Sequence, residues 1–313
     1  MPRVVSGRPA ISINSPSVQP PRYLVGFAWI VLACNVAVAV EGAFVRATGS
    51  GAGCGNHWPL CNGEVVFGTP AMATVIEFAH RSMTGIDTAM VLGLLAWTLR
   101  VFPKGHAARL GAALSTVFLF TEALIGAALV KFGLVVNDAS PGRAAVLSLH
   151  LTNTLTLLAC LTLTAWWASG HPRIRLAWIA WASLAAVALL GITGTLAALA
   201  DTLYPAGSLA AGFAQDLSAD ASFVVKLRAI HPILAVAVGL WLICYATSRA
   251  SAERRLAQGV IATVAAQLLA GIVNLVLLAP IGMQLIHLLL ADLLWIVLVA
   301  LCWNSSLEST HRP

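Results

Sequence analysis

Eight long apolar runs, at roughly 24–45, 75–100, 110–131, 145–168, 175–200, 224–248, 256–279 and 282–304, dominate this sequence. About 20 residues in helical conformation span the hydrocarbon core of a bilayer, and every run meets that length. Backbone exposed to lipid must satisfy its own hydrogen bonds, which leaves helices or closed barrels. These runs are too long and too evenly apolar for barrel strands. The expected fold is an all-α integral membrane protein with eight transmembrane helices. Composition agrees: 59% of the 313 residues are hydrophobic and 10% charged, more apolar surface than a soluble domain can hide.

The net charge of +6 would suit a nucleic-acid binder, but its placement argues otherwise. With the N-terminus inside, 12 of the Lys and Arg residues fall on the inner side and 5 on the outer side, with Arg81 in the second run. That is a positive-inside bias, so the basic balance sets orientation in the bilayer and no nucleic-acid partner is expected. Residues 1–23 and 305–313 are expected to be cytoplasmic tails. Five prolines break any amphipathic transit helix before the first run, and the first run is expected to be retained. Gly49-Ser50-Gly51-Ala52-Gly53 lacks the lysine and the preceding strand of a phosphate loop, which argues against nucleotide chemistry.

His80, His150, His231 and His287 each sit a few residues into a separate apolar run. An imidazole inside a bilayer is costly unless something binds it. The runs also look duplicated. Glu77-Phe78-Ala79-His80 parallels Arg228-Ala229-Ile230-His231, Leu149-His150-Leu151 parallels Ile286-His287-Leu288, and the segment 125–130 parallels 270–275. A four-helix unit copied once explains this, giving two pseudo-symmetric four-helix bundles, an N-terminal half at 24–168 and a C-terminal half at 175–304. All four histidine-bearing runs then point inward from the outer face. At 1.5 Å per residue the imidazoles lie roughly 8–10 Å below the outer interface. Two such helices flanking a porphyrin can supply both axial ligands to one iron, pairing His80 with His150 and His231 with His287.

Other polar residues are read against that frame. Glu77 shares a helix face with His80, where it serves either as a proton-handling carboxylate over a haem edge or as a solvated helix end. Glu41 and Glu122 are further buried carboxylate candidates, and Asp87 and Asp292, deeper in their runs, are proton-path members or paired structural charges. Cys54 and Cys61 bracket a short Gly/Pro loop on the outer side; a disulfide suits an oxidising compartment, with free thiols or metal ligands as the alternatives. Cys34, Cys160, Cys244 and Cys302 read as small packing residues. No Cys-x-x-Cys-His motif exists, so covalent haem attachment is excluded.

The loop Phe44-Val45-Arg46-Ala47-Thr48-Gly49 through Cys54-Gly55-Asn56-His57-Trp58-Pro59-Leu60-Cys61-Asn62-Gly63 closely resembles the first outer loop of bacterial haem A synthases. Glu77-Phe78-Ala79-His80 resembles that family's Glu-x-x-His signature, and His150-Leu151-Thr152-Asn153-Thr154 its second histidine motif. With His231-Pro232 and His287, the likeness runs from about residue 24 to 304. It implies oxidation of the C8 methyl of haem O to a formyl group, giving haem A for terminal cytochrome oxidases. It further implies haem b held by His231 and His287, substrate haem O between His80 and His150, Glu77 as catalytic carboxylate and a Cys54–Cys61 disulfide. Some members carry a second cysteine pair in the third outer loop, and here residues 201–223 contain no cysteine.

The competing expectations are a di-haem b-type electron-transfer protein and a haem carrier. Glu77 stands where the second half has Arg228, and that asymmetry favours one reactive site and one supporting site. The expected partners are a haem O synthase, cytochrome oxidase assembly, an external electron donor such as ferredoxin, and the lipid bilayer; self-association is left open. The expected location is the bacterial plasma membrane, with the haem sites toward the outer face.

Overall fold

The computed structural model describes residues 21–58, 60–62 and 70–304. The expected tails at 1–23 and 305–313 lie outside the described residues, except for 21–23, which already cap and begin the first helix. Nine helices and no β-strand occur among the described residues: α1 (Arg22–Ala47), α2 (Met72–Val101), α3 (Ala107–Lys131), α4 (Pro141–Ala168), α5 (Trp178–Leu203), α6 (Leu209–Asp216), α7 (Phe223–Arg249), α8 (Arg254–Val276) and α9 (Ile281–Asn304). All but the short α6 are long and apolar enough to cross a membrane, as a multi-pass membrane protein requires.

Local chemistry sets several boundaries. Ser140 Oγ accepts from the Arg143 N–H at 3.2 Å with Pro141 at the first helical position, a strong start for α4. His106 Nδ1 accepts from the Ala108 N–H to begin α3. The chain leaves α8 three residues before the expected end. Leu278 and Ala279 adopt φ of 61° and 54°, a left-handed turn usually given to glycine, just ahead of Pro280. The other departure is α6, a helix in a stretch read from sequence as loop. Ser208 Oγ caps it by accepting from the Ala211 N–H.

Packing follows two closed circuits. α1 packs on α2 and α4, and α3 joins α2 to α4; α5 packs on α7 and α9, and α8 joins α7 to α9. Contacts of α4 with α5 and α9, and of α1 with α9, join the circuits. The core lies along that seam, where Leu157, Leu158 and Leu161 of α4 and Leu298 and Leu301 of α9 are fully or almost fully buried. Trp295 Nε1 donates to the Leu155 carbonyl at 2.7 Å across it. Small residues let helices close up: a Cβ on Gly111 would stand 2.5 Å from Thr164 Oγ1, so α3 approaches α4 at glycine distance. Arg46, at the end of α1, donates to the Ala198 carbonyl and Thr202 of α5 and to Gln284 of α9, tying one circuit to the other.

Candidate functional site

His80, His150, His231 and His287 lie in the second or third turns of α2, α4, α7 and α9, toward the end of the bundle that carries the loops after α1, α3 and α5. Each imidazole rests on a glycine of the preceding long helix. A Cβ on Gly42 would stand 3.1 Å from His80 Cε1, one on Gly194 2.9 Å from His231 Cε1, and one on Gly271 3.2 Å from His287 Cε1. Gly126 stands in the same relation to His150, more loosely, with 3.8 Å to Nε2. The glycines give the rings room that any larger residue would take.

Each histidine also has one polar partner from that same preceding helix. His150 Nδ1 is 3.1 Å from Glu122 Oε1, and His80 Nδ1 is 3.7 Å from Glu41 Oε2. Glu122 is itself held: Asn153 Nδ2 donates to its Oε2 at 2.5 Å and Thr154 Oγ1 donates to its Oε1. Thr121 in turn donates to Asn153 Oδ1, so the residues just after His150 fix the carboxylate beside it. In the other circuit Thr193 Oγ1 is 3.0 Å from His231 Nδ1 and donates its one proton to the Leu190 carbonyl. With that proton on Leu190 the hydroxyl accepts from a ring protonated on Nδ1, which leaves the lone pair on Nε2. Gln267 Nε2 lies 3.2 Å from His287 Nε2, on the other ring nitrogen.

The rings of His231 and His287 face each other, with centres 6.5 Å apart and planes at 88°. Two imidazole–metal bonds of about 2 Å, plus about 1 Å from nitrogen to ring centre on each side, put two axial ligands roughly 6 Å apart. The separation of the pair suits a single metal held between the two rings. His80 lies within Coulombic reach of His150. Nδ1 of His80, His150 and His287 is buried without a well-formed hydrogen bond, so Glu41 and Glu122 act on their rings chiefly through charge. Among the described residues no three His, Cys, Asp or Glu side chains converge as a metal cluster. An apolar cleft of about 700 Å³ between α1 and α9 reaches Glu41, with Trp29, Val36, Phe44, Leu289 and Leu293 among its walls.

Glu77 is buried, and both its oxygens are engaged. Oε2 accepts from the Cys54 N–H at 2.8 Å and Oε1 from Arg81 Nη2 at 2.5 Å. Arg81 also donates to the carbonyls of His57 and Leu60. Cys54 and Cys61 form a disulfide, which removes the free-thiol and metal-ligand alternatives. Gly53 sits directly on the first turn of α2, where a Cβ would fall 2.3 Å from the Ala73 carbonyl oxygen. Glu77 and Arg81 thus strap the loop across the start of α2. Arg228 does the same in the second circuit, pairing with Asp201 and Asp216 and bonding Gln215, which holds α6 in place. Asp87 accepts from Asn35 at 2.5 Å, and Asp292 is buried with Oδ2 unpartnered. Neither is brought to the four histidines by any contact in the structure.

Sequence reasoning had no role for Thr193, Gln267, Asn153, Thr154 and the glycines under the rings. A signal existed: Glu41-Gly42 matches Thr193-Gly194, and Glu122 with Gly126 matches Gln267 with Gly271 at the same spacing. Extending the repeat outward from the histidines would have found all four partners.

A family model described as cytochrome oxidase assembly protein, COX15-CtaA, matches residues 26–299. A protein named protoheme IX farnesyltransferase from Thermus thermophilus is 49% identical over 296 residues, covering 91% of this chain and 48% of that protein. A haem A synthase of Bacillus licheniformis is 36% identical over 140 residues, 45% of this chain and 43% of that one. A haem A synthase of Halalkalibacterium halodurans is 38% identical over 128 residues, 41% of this chain and 40% of that one. The matches cover about half the length of these curated relatives, or less.

Proposed function

The chain belongs to the COX15-CtaA family of cytochrome oxidase assembly proteins, the haem A synthase family, and on that premise we propose that it oxidises the C8 methyl of haem O to a formyl group. The observation that carries the reading is the facing pair His231 and His287, whose 6.5 Å separation suits the two axial positions of a haem b. His80 and His150 are the corresponding pair for the substrate haem O. A methyl C–H offers nothing to a side-chain base, so bound haem iron supplies the redox chemistry while the chain binds, orients and handles protons.

The chain's own residues divide that work. Thr193 keeps the His231 proton on Nδ1 and the Nε2 lone pair free for the ligand position. Asn153 and Thr154 keep Glu122 beside His150. Glu77 is the proposed catalytic carboxylate. About two of its roughly four lone-pair sites are occupied, which leaves it able to accept a proton at the mouth of the first site. The apolar cleft beside Glu41 suits the hydrocarbon tail that sets haem O apart from protohaem.

In this reading the two circuits are copies of one unit, the histidine end faces the outer side of a bacterial plasma membrane, and both termini are cytoplasmic. The Thermus relative named for farnesyl transfer to protohaem is about twice as long as the matched region, which supports a working link between this chain and a haem O synthase. Electrons pass to or from a separate carrier such as ferredoxin. Expression with a haem O synthase in a host lacking haem A, followed by chromatography of extracted haems, tests the proposal. Formyl haem is the expected product, and unchanged haem O in folded protein would contradict it. Glu77→Ala is expected to keep haem and lose the product; full activity in that variant removes Glu77 from the chemistry.

A further inference from the structure

The two pairs of histidines differ in the chemistry that backs them. At each equivalent position the preceding helix offers a carboxylate in the first circuit and a neutral group in the second. Glu41 precedes Gly42 where Thr193 precedes Gly194, and Glu122 stands four residues before Gly126 where Gln267 stands four before Gly271. All four reach their imidazole, at 3.7, 3.0, 3.1 and 3.2 Å for Glu41, Thr193, Glu122 and Gln267 respectively. The difference is built in: Asn153 and Thr154 both reach Glu122 beside His150, and the Thr193 hydroxyl bonds the Leu190 carbonyl as well as facing its ring.

We propose that these partners hold the two sites at different redox potentials, with the His80–His150 site the more easily oxidised and the His231–His287 site the more easily reduced. This rests on the reading of the histidines as axial ligands. A group that draws on the ring N–H raises the donor strength of the other ring nitrogen toward iron. A carboxylate draws about twice as strongly as the neutral Thr193 hydroxyl, and the Gln267 amide nitrogen, which can only donate, draws on no ring N–H at all. A stronger donor, with a negative charge 3–4 Å from the ring, favours iron(III) over iron(II). Both carboxylates act chiefly through charge, Glu122 at 3.1 Å and Glu41 at 3.7 Å. An electron moving from the first site to the second oxidises one iron(II) to iron(III) and reduces the other from iron(III) to iron(II), with no atom or proton transferred. The gradient therefore draws electrons away from the substrate side and toward the resident cofactor.

The test is a spectroscopic redox titration of the full-length protein carrying iron protoporphyrin IX at both sites. His231→Ala and His80→Ala forms, each keeping one site, assign the two components. Glu122→Gln is expected to shift the oxidation equilibrium of the first site at least tenfold toward iron(II), about 59 mV upward for one electron. Gln267→Glu is expected to shift the second site at least tenfold the other way, and it decides the matter if Glu122→Gln binds haem poorly. Potentials that stay fixed, or move in the opposite direction with haem retained, overturn the inference. Haem signals untouched by the histidine substitutions would instead sink the ligand assignment beneath it.

Discussion

At the scale of single residues, the site depends on what is missing as much as on what is present. The four glycines under the imidazoles offer no side chain, and that absence sets where each ring lies. Gly194→Ala places a methyl 2.9 Å from His231 Cε1, closer than real contacts allow, and the wall behind it is helix backbone. The ring must shift from its place. We expect this variant to lose a tenfold or greater part of its haem affinity at the second site, read from haem bound per chain across a titration. Gly26→Ala, where a Cβ meets nothing within 4 Å, serves as the control and should bind as the parent does. The histidines were legible in the sequence because a polar ring in an apolar run is costly and conspicuous. Glu41 and Glu122 were conspicuous for the same reason, though their targets were not. Thr193 and Gln267 were legible only through the repeat, since a threonine in a membrane helix normally satisfies itself on its own backbone and a lone polar residue does not announce which ring it reaches.

At the scale of elements, the eight long helices follow directly from hydropathy, and the structure keeps them within a few residues of the expected limits. The short α6 did not follow. Its eight residues are too few to show a period, and it is held from outside by Arg228 against Asp216 and Gln215. The Glu77–Arg81 strap over the disulfide loop is its counterpart by position, with the helix-borne charge at the aligned residue reversed. The sequence alignment of Glu77 with Arg228 pointed to an asymmetry of chemistry; the structure adds a shared mechanical task. Arg81→Ala leaves the buried Glu77 carboxylate without its cation, and breaking such a pair costs about 3 kcal/mol. The expected result is faster proteolysis within the loop following α1, together with a lowered thermal midpoint, while Arg228→Ala should expose the loop following α5 instead. Unchanged cleavage in both variants would show that the straps do not hold the loops.

At the scale of the whole molecule, the pattern of repeats implied two units but not how they meet. The seam runs along α4 and α9, with Arg46 reaching from α1 to two helices of the other circuit and Trp295 bonding back to α4. None of this is periodic, so no sequence pattern announces it. The consequence is that the four histidines share one end of one bundle. Everything proposed for the chain stands on those pairs. Pyridine haemochrome analysis of haem per chain, combined with low-temperature electron paramagnetic resonance, reads them directly. The parent protein should bind two haems with two bis-histidine low-spin signals, His231→Ala should lose one signal, His80→Ala the other, and the double variant both. A single haem that survives all three substitutions would contradict the assignment of these four residues.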